Sequence, residues 1–360
     1  MEIQIKPTIS QVESKKGNCY DILKFLMSLL IVAIHTKAFS GAWVCDWAQP
    51  IVYVAVPIFF ILSSMFYFRK IANQGVNRFT CLRHYLSRLS VLYLFWFIVN
   101  ILFIQHSHHY FNYGGGADII RLFYDILLRS TYSGSWFFSA LALAVSIYTL
   151  IYPYKIIRRV TITISLLLLI YVIWNDLLSA EYNVVYKLLQ VYIRQDVNLS
   201  VCTSLGWCGI GVIMGNPMTQ AYIQKVKQKN RHAILLSIST LLTIIYIVNY
   251  NFGISFLNII LLIMISISYI MTAGTSNMPQ SEKLLKFRKM STLFYMLHFI
   301  VIFVSSFIVK LVSGRELQSL PDYVGFIPGY IIVLFVCLLL SLAIIKLSDY
   351  KFTHWLKFSY

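Results

Sequence analysis

Apolar residues in this chain fall into long continuous runs, and polar residues gather in short segments between them. The runs do not alternate in polarity, so they predict helices rather than the strands of a barrel. Ten spans are read, at about 22–40, 51–68, 89–105, 134–152, 160–176, 200–215, 233–250, 254–272, 291–312 and 327–347. Some fall short of the ~20 residues that cross a hydrocarbon core upright. Such spans are expected to be partly embedded or to line a water-filled cavity. The longest external connection, 105–131, is expected to hold a short helix near 118–128.

Composition supports the same class. Of 360 residues, 59% are hydrophobic and 12% charged, and mean hydropathy is +0.73. A soluble domain carries about a quarter charged residues, so this chain lacks the polar surface of one. The reading is an all-α polytopic membrane bundle, a single integral membrane domain over 1–360 with about ten transmembrane helices. A net charge of +17 does not point to nucleic acid here, because Lys and Arg sit in clusters between apolar runs. The even-numbered junctions and both ends hold 22 of them, against 5 in the opposite loops. By the positive-inside rule both termini are cytoplasmic, with 1–20 and 348–360 as cytoplasmic segments. The segment 1–17, with Lys6, Lys15 and Lys16, lacks the apolar core of a cleavable signal. Cys19, Cys45, Cys81, Cys202, Cys208 and Cys337 show no metal-type spacing, and no metal is expected. Two outer loops could meet an external substrate. One carries His106, His108, His109, the run Gly114-Gly115-Gly116, Arg121, Asp125 and Arg129; the other carries Glu181, Lys187, Arg194 and Asp196. The paired, Gly/Pro-broken spans of many transporters are not visible.

Within this frame a few polar residues need a reason. His35 lies ~20 Å along a helix from Ile22, near or beyond the membrane midplane. A neutral imidazole there can take a proton from a hydroxyl as it attacks a carbonyl; otherwise it packs and donates to a backbone carbonyl. Asp21 and Lys24 are three apart and share a helix face. Lys24 either binds an anionic phosphate or snorkels to the interface and pairs with Asp21. Ser63 and Ser64 line a tunnel or serve helix packing. Arg83 and Arg88 belong to the most basic segment, and Arg88 abuts the third span where an anion could be clamped. Trp136 with Phe137 opens the fourth span, as an aromatic belt residue or a cavity wall. Tyr295 and His298 form either a packed polar pair or a second polar wall.

Taken in order, these pieces resemble the acyltransferase-3 family of integral membrane acyltransferases. Asp21, Lys24 and His35 match its acidic–basic–His spacing in the first span, and Phe59-Phe60-Ile61-Leu62-Ser63-Ser64 matches its Phe-Phe-x-x-Ser-Gly. Arg88-Leu89, Trp136-Phe137 and the pair Tyr295 and His298 follow in the family's order. Three positions depart: Ser64 stands for Gly, Tyr85 occupies the position of a partner arginine to Arg88, and Ser139 replaces a basic residue.

The resemblance implies an O-acyltransferase of the cell (plasma or inner) membrane. It would move an acyl group, commonly acetyl, from cytoplasmic acyl-CoA to a sugar hydroxyl of a cell-surface polysaccharide or lipid-linked glycan precursor. His35 would be the base or acyl carrier, with Asp21 beside it in the catalytic set. Lys24, Arg88 and Arg83 would hold the donor, and Ser63, Trp136, Tyr295 and His298 would line the cavity. The implied partners are the bilayer, the glycan acceptor and the machinery that assembles it, with no nucleic acid. The alternative is a multi-span transporter or flippase exporting a glycan intermediate, with His35 as a gate.

Overall fold

The computed structural model describes residues 17–39, 47–74, 76–101, 116–128, 130–132, 134–177, 184–193, 197–229, 231–253, 255–314 and 320–360. Lys6, Lys15, Lys16, Cys45, His106, His108, His109, Gly114, Gly115, Arg129, Glu181, Arg194 and Asp196 lie outside the described residues. The helices are α1 (Cys19–His35), α2 (Ala55–Gln74), α3 (Arg78–Val99), α4 (Gly116–Leu128), α5 (Trp136–Ile151), α6 (Lys155–Leu177), α7 (Val184–Ile193), α8 (Val201–Met214), α9 (Pro217–Gln228), α10 (His232–Phe252), α11 (Ser255–Thr275), α12 (Glu282–Ser313), α13 (Leu320–Val324) and α14 (Phe326–Leu347). Short 3-10 helices occupy Gln49–Val54, Val197–Leu199 and Lys351–Ser359. No β-strand occurs among the described residues, which hold one isolated bridge between Gly17 and Ser281.

A helix underlies every apolar run read from the sequence, and α4 stands where the short outer helix is expected. Among the described residues, six helical stretches are long and apolar enough to cross a membrane; α5 and α8 are apolar but shorter. The short α8 is buried along most of its length, wedged among α2, α5 and α6 rather than facing lipid. Its glycines allow this. A Cβ at Gly206 would stand 2.7 Å from Leu169 Cβ, and one at Gly209 would stand 2.7 Å from the Tyr148 hydroxyl. A Cβ at Gly211 would overlap Ser64 Oγ. Ser64 thus fills space that Gly211 vacates, and its hydroxyl donates to Phe60 O (2.8 Å) and Ile61 O (3.2 Å).

Three differences from the expected spans bear on the site. The basic segment before the third span is not a loop: α3 begins at Arg78, where the Asn77 side chain accepts from Phe79 N–H, and carries Arg83 and Arg88 on a helix. Likewise α12 begins at Glu282, capped by the Ser281 hydroxyl, nine residues before the apolar run. Apolar runs end at the first charge, whereas a helix ends where its backbone is capped.

The third difference is at the first span, which is expected to reach residue 40, yet α1 stops at His35. Lys37 takes the left-handed conformation (φ 50°), Lys37 N–H bonds Ile34 O and Ala38 N–H bonds Ala33 O. This is a Schellman stop, built here on a lysine rather than the usual glycine. His35 is therefore a helix-end residue and not a mid-helix one.

The buried side chains form two main clusters, one through α2, α5, α8 and α11 and one through α3, α12 and α14. α1 belongs to both: Tyr20, Leu23, Met27 and Ile31 face the first, Val32 the second. The helix bearing His35 is the seam of the bundle.

Candidate active site

α1 and α12 lie side by side and run the same way, and each contact steps forward along both. Arg288 meets Asp21, Ser291 Oγ donates to Lys24 O (3.2 Å), Phe294 packs edge-on against Phe25, and His298 stands beside His35. On α1, Lys24 and His35 are separated by three turns, so they share one face ~16 Å apart.

At the first end, Asp21 is buried and fully engaged. Its two oxygens accept from Arg288 Nε (2.8 Å) and an Arg288 terminal nitrogen (3.0 Å), and Oδ2 also accepts from Asn18 N–H (2.9 Å). The Asn18 side chain accepts in return from the start of α1, completing a capping box. Lys24 is half-buried with its Nζ 5.0 Å from the Phe66 ring centre, a cation–π contact. Arg69 lies within electrostatic reach of the Tyr20 hydroxyl, and Arg88 of the Tyr85 hydroxyl. Tyr85 in turn packs on Tyr67 of α2, ring centres 4.9 Å apart. Arg83 is exposed and lines an open depression on α3 with Phe79, Thr80, His84 and Ser87.

The other end is built differently. The His35 side chain is exposed at the end of α1. Its ring centre is 5.1 Å from His298 and 4.4 Å from Phe299. His298 is completely buried, with Nδ1 3.0 Å from Phe294 O. A carbonyl can only accept, so in the neutral ring Nδ1 carries the proton and Nε2 a lone pair. That Nε2 is buried without a hydrogen-bond partner among the described residues.

The wall over this pair comes from α5 and the turn before it. Tyr295 donates to Gly134 O (2.8 Å), and Gly134 adopts φ 82°. A Cβ there would stand 2.6 Å from the Phe299 ring, so the turn needs glycine for both conformation and space. The Ser135 hydroxyl holds the turn by accepting from Thr131 N–H (2.9 Å) and Tyr132 N–H (3.3 Å). Phe59, Phe137 and Phe138 ring Tyr295 with ring centres 5.7–6.2 Å away, and Trp136 packs 5.8 Å from Phe60. Ser63 is half-buried on α2. Ser139 donates to Ile126 O (2.6 Å), tying α5 to α4.

A family model described as an acyltransferase domain, of the acyltransferase-3 type, matches residues 18–346. The chain belongs to the acyltransferase-3 family. It is, at family level, a multi-pass membrane acyltransferase. No curated protein and no solved structure matches it.

Of the residues singled out in this acyltransferase, the fold joins His35, Tyr295 and His298 at one end of the α1–α12 pair and Asp21 and Lys24 at the other. Arg288, Phe66, Phe299 and residues 130–132, 134 and 135 are not among those the sequence singles out. Arg288 had a signal: Ser281-Glu282 is a helix start, and Arg288 then leads Ser291, Tyr295 and His298 along α12. No described group of His, Cys, Asp or Glu is arranged to hold a metal.

Proposed function

We propose that this acyltransferase moves an acyl group, acetyl in the first instance, from cytoplasmic acyl-CoA to a hydroxyl of a cell-surface polysaccharide or lipid-linked glycan precursor. The observation that carries the reading is the histidine pair: an exposed His35 ring stands beside a buried His298 whose Nε2 lone pair has no hydrogen-bond partner among the described residues. An N–H of His35 turned toward that lone pair would leave its other nitrogen free to act as a base. His35 then takes the hydroxyl proton as the hydroxyl oxygen attacks the thioester carbonyl. The carbon–sulfur bond breaks, and the departing thiolate recovers the proton from His35. In the second route the His35 nitrogen attacks the thioester carbonyl, the carbon–sulfur bond breaks and the thiolate leaves with the proton of the other ring nitrogen. The acceptor hydroxyl oxygen then displaces the imidazole, which takes up the hydroxyl proton.

The donor side suits an anionic nucleotide. Lys24 shares the His35 face, and Arg69 and Arg88 add positive charge near the same end of α1 and α2. Arg288 is committed to Asp21, so Asp21 acts in this reading as a positioning residue. Ten spans with both termini cytoplasmic would put Lys24 at the inner mouth and His35 toward the acceptor side. The machinery that assembles the glycan is the natural partner on that side.

Acetyl-CoA labelled in its acetyl group, given to the purified protein with a lipid-linked glycan, tests the proposal. Label bound covalently to the glycan is expected; transport alone would leave none there, and that result would overturn the reading. Quenching without acceptor separates the two routes, since only the second leaves label on His35.

A further inference from the structure

The segment after α14 is a 3-10 helix of nine residues, Lys351–Ser359. With three residues per turn, side chains at i and i+3 stack into straight edges. The sequence repeats with the same period: Lys351-Phe352-Thr353, His354-Trp355-Leu356, Lys357-Phe358-Ser359. Lys351, His354 and Lys357 form one edge, Phe352, Trp355 and Phe358 a second, and Thr353, Leu356 and Ser359 a third. Burial follows this division. The third edge turns inward, while every residue of the other two is exposed, the aromatics by 95%, 54% and 57%.

Runs of 3-10 helix beyond three or four residues are uncommon, so this one needs outside support. It has it. The Trp96 indole N–H donates to Ser359 O (3.0 Å), and Trp355 packs 5.8 Å from Phe95. The Tyr360 hydroxyl lies 2.7 Å from Ser348 Oγ, and Lys289 Nζ sits 4.9 Å from the Tyr360 ring centre. The rod is thus fixed to α3 and the end of α14, and through Tyr360 to α12, with its basic edge bare and its aromatic edge covered only where Trp355 meets Phe95.

Three large aromatic side chains bared in a row are not the surface of a water-facing segment. They directly follow α14, a helix apolar enough to cross the membrane, whose exposed Leu339, Leu342 and Leu347 mark a lipid-facing side. Exposed Val91, Leu94 and Ile98 continue that surface on α3, the other helix the rod touches. Aromatic rings settle at the boundary between acyl chains and headgroups, and lysines beside them reach the phosphates. Residues 350–360 contain no acidic side chain. We infer that Lys351–Ser359 is an interfacial rod whose aromatic edge lies at the acyl boundary and whose basic edge binds the headgroups of anionic phospholipids, in the leaflet where α14 ends. Lys289, which the rod holds through Tyr360, adjoins Arg288, so the same contact braces the helix that grips Asp21.

Hydrogen exchange on the full-length protein in nanodiscs tests this, comparing phosphatidylcholine alone with a mixture containing phosphatidylglycerol. Amides of 351–359 should exchange more slowly in the anionic mixture. The variant K351E/K357E should lose about tenfold or more of that difference, while α3 and α14 exchange as before. Phe352→Ser with Phe358→Ser should raise exchange of the rod in both lipids, because the aromatic edge does not depend on charge. Equal exchange of the wild-type rod in the two lipids would overturn the inference. So would protection that rises with the number of protein copies per disc, which would mean that a second copy covers the rod.

Discussion

The two ends of α1 are built on opposite principles. At the Asp21 end each polar group is engaged: a capping box, a bidentate arginine and a lysine laid on a ring. At the His35 end the backbone stops on a strained lysine, one imidazole is exposed, and the other keeps a buried lone pair without a described partner. An unmet buried polar atom costs about 1–3 kcal/mol, which a purely structural end would shed. On the function proposed above, the difference separates the part of the helix that fixes the bundle from the part that would carry the reaction. Strain and unmet polarity are tolerated at the second end because the first holds α1 and α12 in register.

The sharpest way to break this comparison is His35→Ala. It should lower acyl transfer by about 10²–10⁴-fold, with the thermal midpoint of the purified protein unmoved. Asp21→Ala should do the reverse. It strips a buried carboxylate from Arg288, whose side chain is 31% exposed, and should lower stability by about 3 kcal/mol in thermal unfolding. Gly211→Ala forces a methyl onto Ser64 and should cost about 2 kcal/mol. Adding Ser64→Gly should restore part of that loss, but not all, because Ile61 O also stands within 2.7 Å of the new carbon. The smallest effect is Lys37→Gly. Relieving the left-handed lysine should raise stability by about 1 kcal/mol, read by the same unfolding measurement.

Much of this was legible in the chain because membrane helices write themselves as apolar runs, and each run has its helix. Helix ends were less legible. Hydropathy stops at Met290, whereas the Ser281 cap carries α12 back far enough to include Arg288. The stop at His35 was hidden because nothing marks Lys37, a residue type that rarely takes positive φ, as a helix terminator. Lys24, His35 and His298 could be picked out as polar residues in apolar surroundings. The grip of Arg288 on Asp21 could not, since 267 residues separate them and no local pattern joins them. The glycines of α8 are plain in the sequence, but only the position of Ser64 gives Gly211 its meaning.

One measurement bears most directly on the division of labour along α1. Turnover per folded molecule should be compared for wild type, Asp21→Ala and His35→Ala, using labelled acetyl-CoA at a temperature below the Asp21→Ala midpoint. The account predicts that Asp21→Ala keeps most of its turnover once corrected for folded fraction, while His35→Ala, fully folded, transfers almost no label. Undiminished transfer by His35→Ala, or an equal loss per folded molecule in Asp21→Ala, would contradict it.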